Sequence, residues 1–300
     1  MTRPLRLLFL ACPTATQGYG LDFASDLALA LKAPLHVAYF TDPQGADAHS
    51  AGPDPTVAPV GNSLGQCLER QTARLRSQGV DVISEYVAAR MSAPHCVAYA
   101  QCIQADIIIK ELTTQAQTLS PMDWELLSQS PVSVMYIQPG LQGAGGKVLA
   151  AVDVELPVRQ QDNGNNATIG LAQYLANALE GSLDVVSVYD SAAHSAATAS
   201  YETRQQAFFA LSAQHDIAPA HRHFLAGTPA SALHAYLQRS HFDFLVIASA
   251  NHATHACAIG TIAEGLLKHP PCSVLVMKRP CVQTAIGRGK PDDAVEAQRS

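Results

Sequence analysis

The feature that most constrains this chain is an ordered pattern that occurs twice. Residues 5–12 (LRLLFLAC) match 146–153 (GKVLAAVD), and 31–42 (LKAPLHVAYFTD) match 179–190 (LEGSLDVVSVYD). Residues 104–111 (QADIIIKE) match 241–248 (HFDFLVIA), and 130–139 (SPVSVMYIQP) match 270–279 (PPCSVLVMKR). Similarity in one order across both halves is the mark of a duplicated unit, not of chance hydrophobicity. Each segment is a short run rich in Val, Ile and Leu. Strands of a parallel sheet, buried on both faces, read this way.

Helical patterns separate these runs. Leu21–Ala33 carries apolar residues at spacings of three and four, with Asp22, Ser25 and Asp26 on its polar face. Gly65–Gln78 is amphipathic and is closed by Gly79. Gly170–Glu180 has Gly181 after it as a second C-terminal cap. Glu202–His215, Pro229–Ser240 and Ile262–His269 follow, with Thr228 as N-cap and Pro229 at the first helical position. Strands alternating with helices imply crossover connections and a parallel sheet. The expected fold class is α/β, with two tandem flavodoxin-like units. Each is a five-stranded parallel sheet with helices on both faces. The expected boundaries are a first domain at 1–142, a second at 143–280 and a polar tail at 281–300. A glycine-rich linker runs through 139–146, and 41–64 reads as a long irregular loop. Ligands of such sheets sit beyond the carboxyl ends of the strands, where strand order reverses. The loops after the first and fourth strands of each half are therefore the ones to read for chemistry.

Composition narrows the function classes. The 300 residues suit two domains better than one. A net charge of −6 with a pI near 6.0 argues against nucleic acid as a partner, because phosphate binding needs clustered positive charge. Seven cysteines without a CxxC pair fit a reducing cytoplasm better than a disulfide framework. No apolar run reaches about 18 residues, so no membrane span is expected. Leu5–Cys12 faintly resembles a lipoprotein signal, but the segment is needed as a first strand and is short for a signal core.

Several segments resemble the universal stress protein family. They are AVD (151–153), the GTP turn (227–229) and GTIAEGLLKHPPCSVLVMK (260–278). SPMDWELLSQSPVSVMYIQP (120–139) resembles the E-type tandem members. The resemblance covers nearly all of residues 5–280 and implies an adenine nucleotide, ATP with Mg²⁺, at one sheet edge. It assigns the adenine contact to Asp153, beside Val152, and a backbone contact to Val188. Gly227 belongs to the same set, and the phosphate loop's final glycine and hydroxyl match Gly260 and Thr261. The earlier glycines of that loop are missing: with the strand kept in register, Ala248 and Asn251 replace them. A glycine there lets backbone N–H groups turn toward phosphate. The first half departs further, with Cys12 in the aspartate's place and no glycine loop after IIIKE (107–111). Nucleotide binding is therefore expected in the second half and not in the first, whose role is structural or is to hold a more apolar ligand.

Other motifs carry weaker chemistry. His252, His255 and Cys257 could hold a metal with help from His221 or His223, but spacing alone proves little. GNSLG (61–65) matches a nucleophile elbow around Ser63, yet no strand precedes it. Cys12, Cys102 and Cys272 read as small hydrophobes on apolar faces, and Cys257 and Cys281 as the more exposed thiols. Trp124 reads as a packing residue of the helix before the last strand. Three readings stay open. The first is a non-catalytic or weakly ATP-hydrolysing stress protein that binds adenine nucleotide and acts through protein partners, with a homodimer conceivable. The second is a nucleotide-free scaffold built as a fused pseudo-dimer. The third is a carrier of an apolar ligand between the halves.

Overall fold

The computed structural model describes residues 4–11, 19–41, 60–112, 118–138, 146–154, 158–190, 200–249 and 261–278. The first half runs β1 (Leu7–Ala11), α1 (Tyr19–Leu31), β2 (Leu35–Phe40), α2 (Val60–Ser77), β3 (Val82–Val87), α3 (Ala93–Cys102), β4 (Ile107–Glu111), α4 (Pro121–Gln129) and β5 (Ser133–Ile137). The second half repeats the order as β6 (Lys147–Ala151), α5 (Val158–Ala178), β7 (Ser182–Tyr189), α6 (Tyr201–Gln214), β8 (Arg222–Ala226), α7 (Pro229–Ser240), β9 (Phe244–Ala248), α8 (Thr261–Leu267) and β10 (Ser273–Met277). The expected α/β units with five parallel strands are both present, and all four repeated segments contain strands.

The ten strands form one sheet in the order β3-β2-β1-β4-β5-β10-β9-β6-β7-β8. Every neighbouring pair is parallel except β5 and β10, which meet antiparallel. Within each half the order is third, second, first, fourth, fifth. Strand order therefore reverses between the first and fourth strands, and that is where a crevice opens.

The β5–β10 ladder joins the halves about a local two-fold axis. Met135 faces Leu275, Tyr136 faces Val274 and Val134 faces Val276. The flanking bonds are reciprocal. Gln138 N–H donates to Ser273 Oγ at 3.0 Å, and Lys278 N–H donates to Ser133 Oγ at 3.2 Å. Both serines are fully buried. A self-complementary contact of this kind is what a two-fold dimer makes between separate chains; here it is made within one.

Strand composition follows position in the sheet. The inner strands LLFLA, SVMYI and SVLVM are buried along their whole length. The edge strands VISEYV and RHFLA are largely half-exposed or exposed. One apolar layer lies under α1, α2, α5 and α6, with Leu27, Leu75, Ile169 and Phe208 in it. The other lies under α3, α4, α7 and α8, with Cys96, Leu126, Leu237 and Leu266 in it. Both layers contain residues of both halves, so the core is continuous across the seam.

Five helices end alike, on a left-handed residue followed by a return bond: Lys32, Gly79, Gln104, Glu180 and Asp216. At the end of α5 the left-handed residue is Glu180 (φ 51), not Gly181. Glu180 N–H donates to Asn177 O and Gly181 N–H to Ala176 O, the paired bonds of a Schellman ending. Gly181 is required for another reason. A Cβ there would fall 1.8 Å from the Gly146 carbonyl oxygen.

Other details depart from the sequence expectation. Thr228 precedes α7, but its side chain makes no capping bond. Helix α2 begins at Val60, so GNSLG lies within a helix, the wrong setting for a strained elbow. Helix α5 begins at Val158, well before Gly170. Among the described residues Cys102 is exposed, and Cys96 and Cys272 are buried, each thiol pushed up to about 12 chiefly by burial. Cys12, Cys257, Cys281, His252 and His255 lie outside the described residues. Trp124 is half-buried against the second apolar layer, as a packing residue would be.

Candidate functional site

The second half's crevice opens at the carboxyl ends of β6 and β9. The β6–β9 ladder closes at Ala151 and Ile247, and Val152 and Ala248 are the next residues on each side. Val152 is buried and its N–H donates to Val186 O at 2.9 Å, extending the contact with β7 by one bond. Asp153 follows, half-buried. Its main chain is held by α5: Asp153 N–H donates to Asn165 Oδ1 at 3.1 Å, and Asn165 Nδ2 donates to the Asp153 carbonyl at 2.8 Å.

The remaining sequence-predicted residues lie along the same sheet edge where they are described. Val188 is half-buried near the end of β7, opposite Leu225. Gly227 follows β8 with φ +138, a conformation that strains any side chain, and its N–H donates to Tyr189 O at 3.0 Å. Ala248 ends β9 opposite Met277. Thr261 opens α8. Asn251 and Gly260 lie outside the described residues.

The first half's crevice is chemically different. Ladder register sets Lys110 and Glu111 at the positions of Ile247 and Ala248. Glu111 reaches across to α1, where its Oε2 accepts from Gly20 N–H at 3.1 Å. Burial pushes the Glu111 carboxyl above its ordinary range, and the Gly20 bond opposes that only in part. Gly20 leaves room for the carboxylate, since a Cβ there would lie 2.6 Å from Oε2. Lys110 Nζ pairs with Asp123 Oδ1 at 2.8 Å, with side-chain exposures of 13% and 3%.

Asp123 also closes the N-terminus of α4. Its Oδ2 accepts from Ser120 N–H at 2.9 Å and from Ser120 Oγ at 2.6 Å, while Asp123 N–H donates back to Ser120 Oγ. The Tyr136 hydroxyl donates to the Asp123 carbonyl at 2.9 Å. The residue standing before β10 as Asp123 stands before β5 is Ala263. Carboxylates thus occupy the N-terminal turns of both helices at this crevice, where helix dipoles attract anions. A phosphate entering there would meet negative charge already in place.

Sequence reasoning passed over Lys110, Glu111, Asp123 and Asn165. A signal for one of them was present: SPMD (120–123) before an apolar run is a capping-box pattern. The others depend on contacts between distant segments. The structure pairs His221 and His223, offered by the sequence as helpers of a metal loop, with a carboxylate. Both bond Asp184 on β7, at 2.7 Å from His221 Nδ1 and 2.6 Å from His223 Nε2. Burial would raise the Asp184 carboxyl, but bonds from His223 and His221 outweigh it and hold it below the usual range. Among the described residues no group of three His, Cys, Asp or Glu side chains could hold a metal ion. No described helix is long and apolar enough to cross a membrane.

A sequence model of the universal stress protein family matches residues 146–278. The likeness to that family falls on the second half. The first half repeats its fold without matching that model. The whole chain superposes on a putative universal stress protein from Pseudomonas aeruginosa UCBPP-PA14, with TM-score 0.75, 21% identity and coverage of 91% of this chain and 92% of that one. A functionally unknown protein from Pseudomonas aeruginosa PAO1 gives TM-score 0.74, 20% identity and the same two coverages. A universal stress protein from Archaeoglobus fulgidus gives TM-score 0.67 at 13% identity, over 92% of this chain and 98% of that one. These likenesses establish the tandem universal stress protein fold. No curated protein matches the chain by sequence.

Proposed function

We propose that this chain is a non-catalytic, cytoplasmic stress-response protein that binds one adenine nucleotide in its second half and acts through protein partners. The observation that carries the reading is the asymmetry of the two crevices. In the half that matches the family, small neutral residues, Ala248 and Ala263, stand where the first half has Glu111 and Asp123. Asp153 lies at the mouth of that second crevice. Val152 and Val188 supply apolar surface and main-chain groups for the base. Gly227 keeps the neighbouring loop free of a side chain, and Ala248, Asn251, Gly260 and Thr261 form the phosphate side, with Mg²⁺ accompanying ATP.

Ala248 ends β9 in extended backbone, so its methyl group acts by limiting how closely the chain approaches phosphate rather than by backbone strain. Binding confined to the native state stabilises it by RT ln(1 + [L]/Kd). Thermal-shift titration with ATP and Mg²⁺ tests this. A saturable rise in Tm that Asp153→Ala removes is the expected result. No shift at millimolar ATP favours the second reading, a nucleotide-free scaffold, which the self-complementary β5–β10 seam independently supports.

A further inference from the structure

We infer that Asn165 is the positioning residue for Asp153, and that it sets the adenine preference of the second-half site; this rests on the nucleotide reading above. Asparagine is a poor helix former, because its side chain competes for backbone hydrogen bonds. Yet Asn165 sits inside α5 and is only 6% exposed. Its place is explained by its two bonds. The amide oxygen takes the N–H of Asp153 and the amide nitrogen binds the carbonyl of the same residue. A side-chain amide that bonds both main-chain groups of one residue acts as a one-residue strand.

It does so where the sheet runs out. Ala151 is the last residue of β6 paired to both neighbours, and Val152 adds a single bond to β7. Asn165 carries the extended course of the chain one residue further and fixes the direction in which the Asp153 side chain leaves it. The turn of α5 that holds Asn165 is itself secured. The buried Thr168 Oγ1 donates to Gly164 O at 2.8 Å, and Asn166 Oδ1 meets Nε2 of His215, the residue that caps α6, at 2.6 Å. The first half has no described counterpart. Matching the helix ends at Lys32 and Glu180 sets Asn165 level with Gln17, which lies outside the described residues.

A carboxylate held at a fixed direction discriminates between bases by which ring edge offers it a donor. A carboxylate free to swing does not. The test compares ATP with GTP, both with Mg²⁺, by calorimetry on the full chain, for wild type, Asp153→Ala, Asn165→Ala and the double variant. The wild type is expected to prefer ATP. Asp153→Ala should reduce that preference by about tenfold, the scale of one hydrogen bond to a charged group. Asn165→Ala should reduce it similarly, and the double variant no further than Asp153→Ala alone. Asn165→Ser, smaller and neutral, serves if the alanine variant does not fold. Loss of affinity for both nucleotides with the ATP-to-GTP ratio preserved marks a merely structural asparagine and overturns the assignment of Asn165 alone. A wild type that binds neither nucleotide, or both alike, overturns the nucleotide reading and this inference with it.

Discussion

At the scale of single residues, charge is placed differently in the two halves, and burial decides what each placement costs. Lys110 and Asp123 are withdrawn from water together, and Asp123 keeps three further contacts through Ser120. Pairing of that completeness is what makes a buried charge tolerable. Asp184 is bound on both oxygens by histidines flanking the start of β8. Asp184→Asn removes the carboxylate that both rings address and should cost about 1–3 kcal/mol at neutral pH. The sign with pH is set by the lowered carboxyl. A folded-state value below the unfolded one gives stability that is present above the unfolded value and lost as pH falls through the folded one. Urea midpoints for wild type and variant should therefore lie well apart at pH 7 and converge below about pH 4. A gap undiminished as pH falls well below about 4 contradicts the role given to Asp184.

At the scale of elements, the apolar runs were legible because burial on both faces imposes one composition on a central strand. All four repeated pairs contain strands. The edge strands β3 and β8 were harder to locate, because half-exposed VISEYV and RHFLA carry no continuous apolar run. The ending of α5, unlike that of α2 at Gly79, differs from the sequence expectation for a related reason. Glycine signals a left-handed cap, but a Schellman ending needs only the φ angle, and Glu180 supplies it while Gly181 serves a close contact. Of the candidate site, Asp153 and Gly227 could be read from local sequence. Asn165, Glu111 and Lys110 could not, since each acts on a segment far along the chain. The element scale carries its own prediction. Gly181→Ala should cost about 3 kcal/mol, the upper range for overpacking, because the obstructing atom is backbone oxygen at 1.8 Å and cannot rotate away. A denaturation midpoint within error of wild type would show that the α5–β7 turn can relax around a methyl group.

At the scale of the whole molecule, duplication and fusion produced a two-fold object whose halves have diverged. The seam keeps its symmetry, with Ser133 and Ser273 playing matching parts and the apolar layers running through. The crevices do not. One is filled by Glu111 and by the Lys110–Asp123 pair, while the other has the uncharged Ala248, Ile247 and Ala263 at the matching positions. A symmetric pair of sites would respond to ligand at two points. The asymmetry reserves the response for the half that carries Asp153 and makes the first half its fixed partner across the seam. Isothermal titration calorimetry of the full chain with ATP and Mg²⁺ tests this account most directly. One nucleotide per chain, abolished by Asp153→Ala and untouched by Glu111→Gln, is the predicted result; two per chain, or heat that persists in Asp153→Ala, would contradict it.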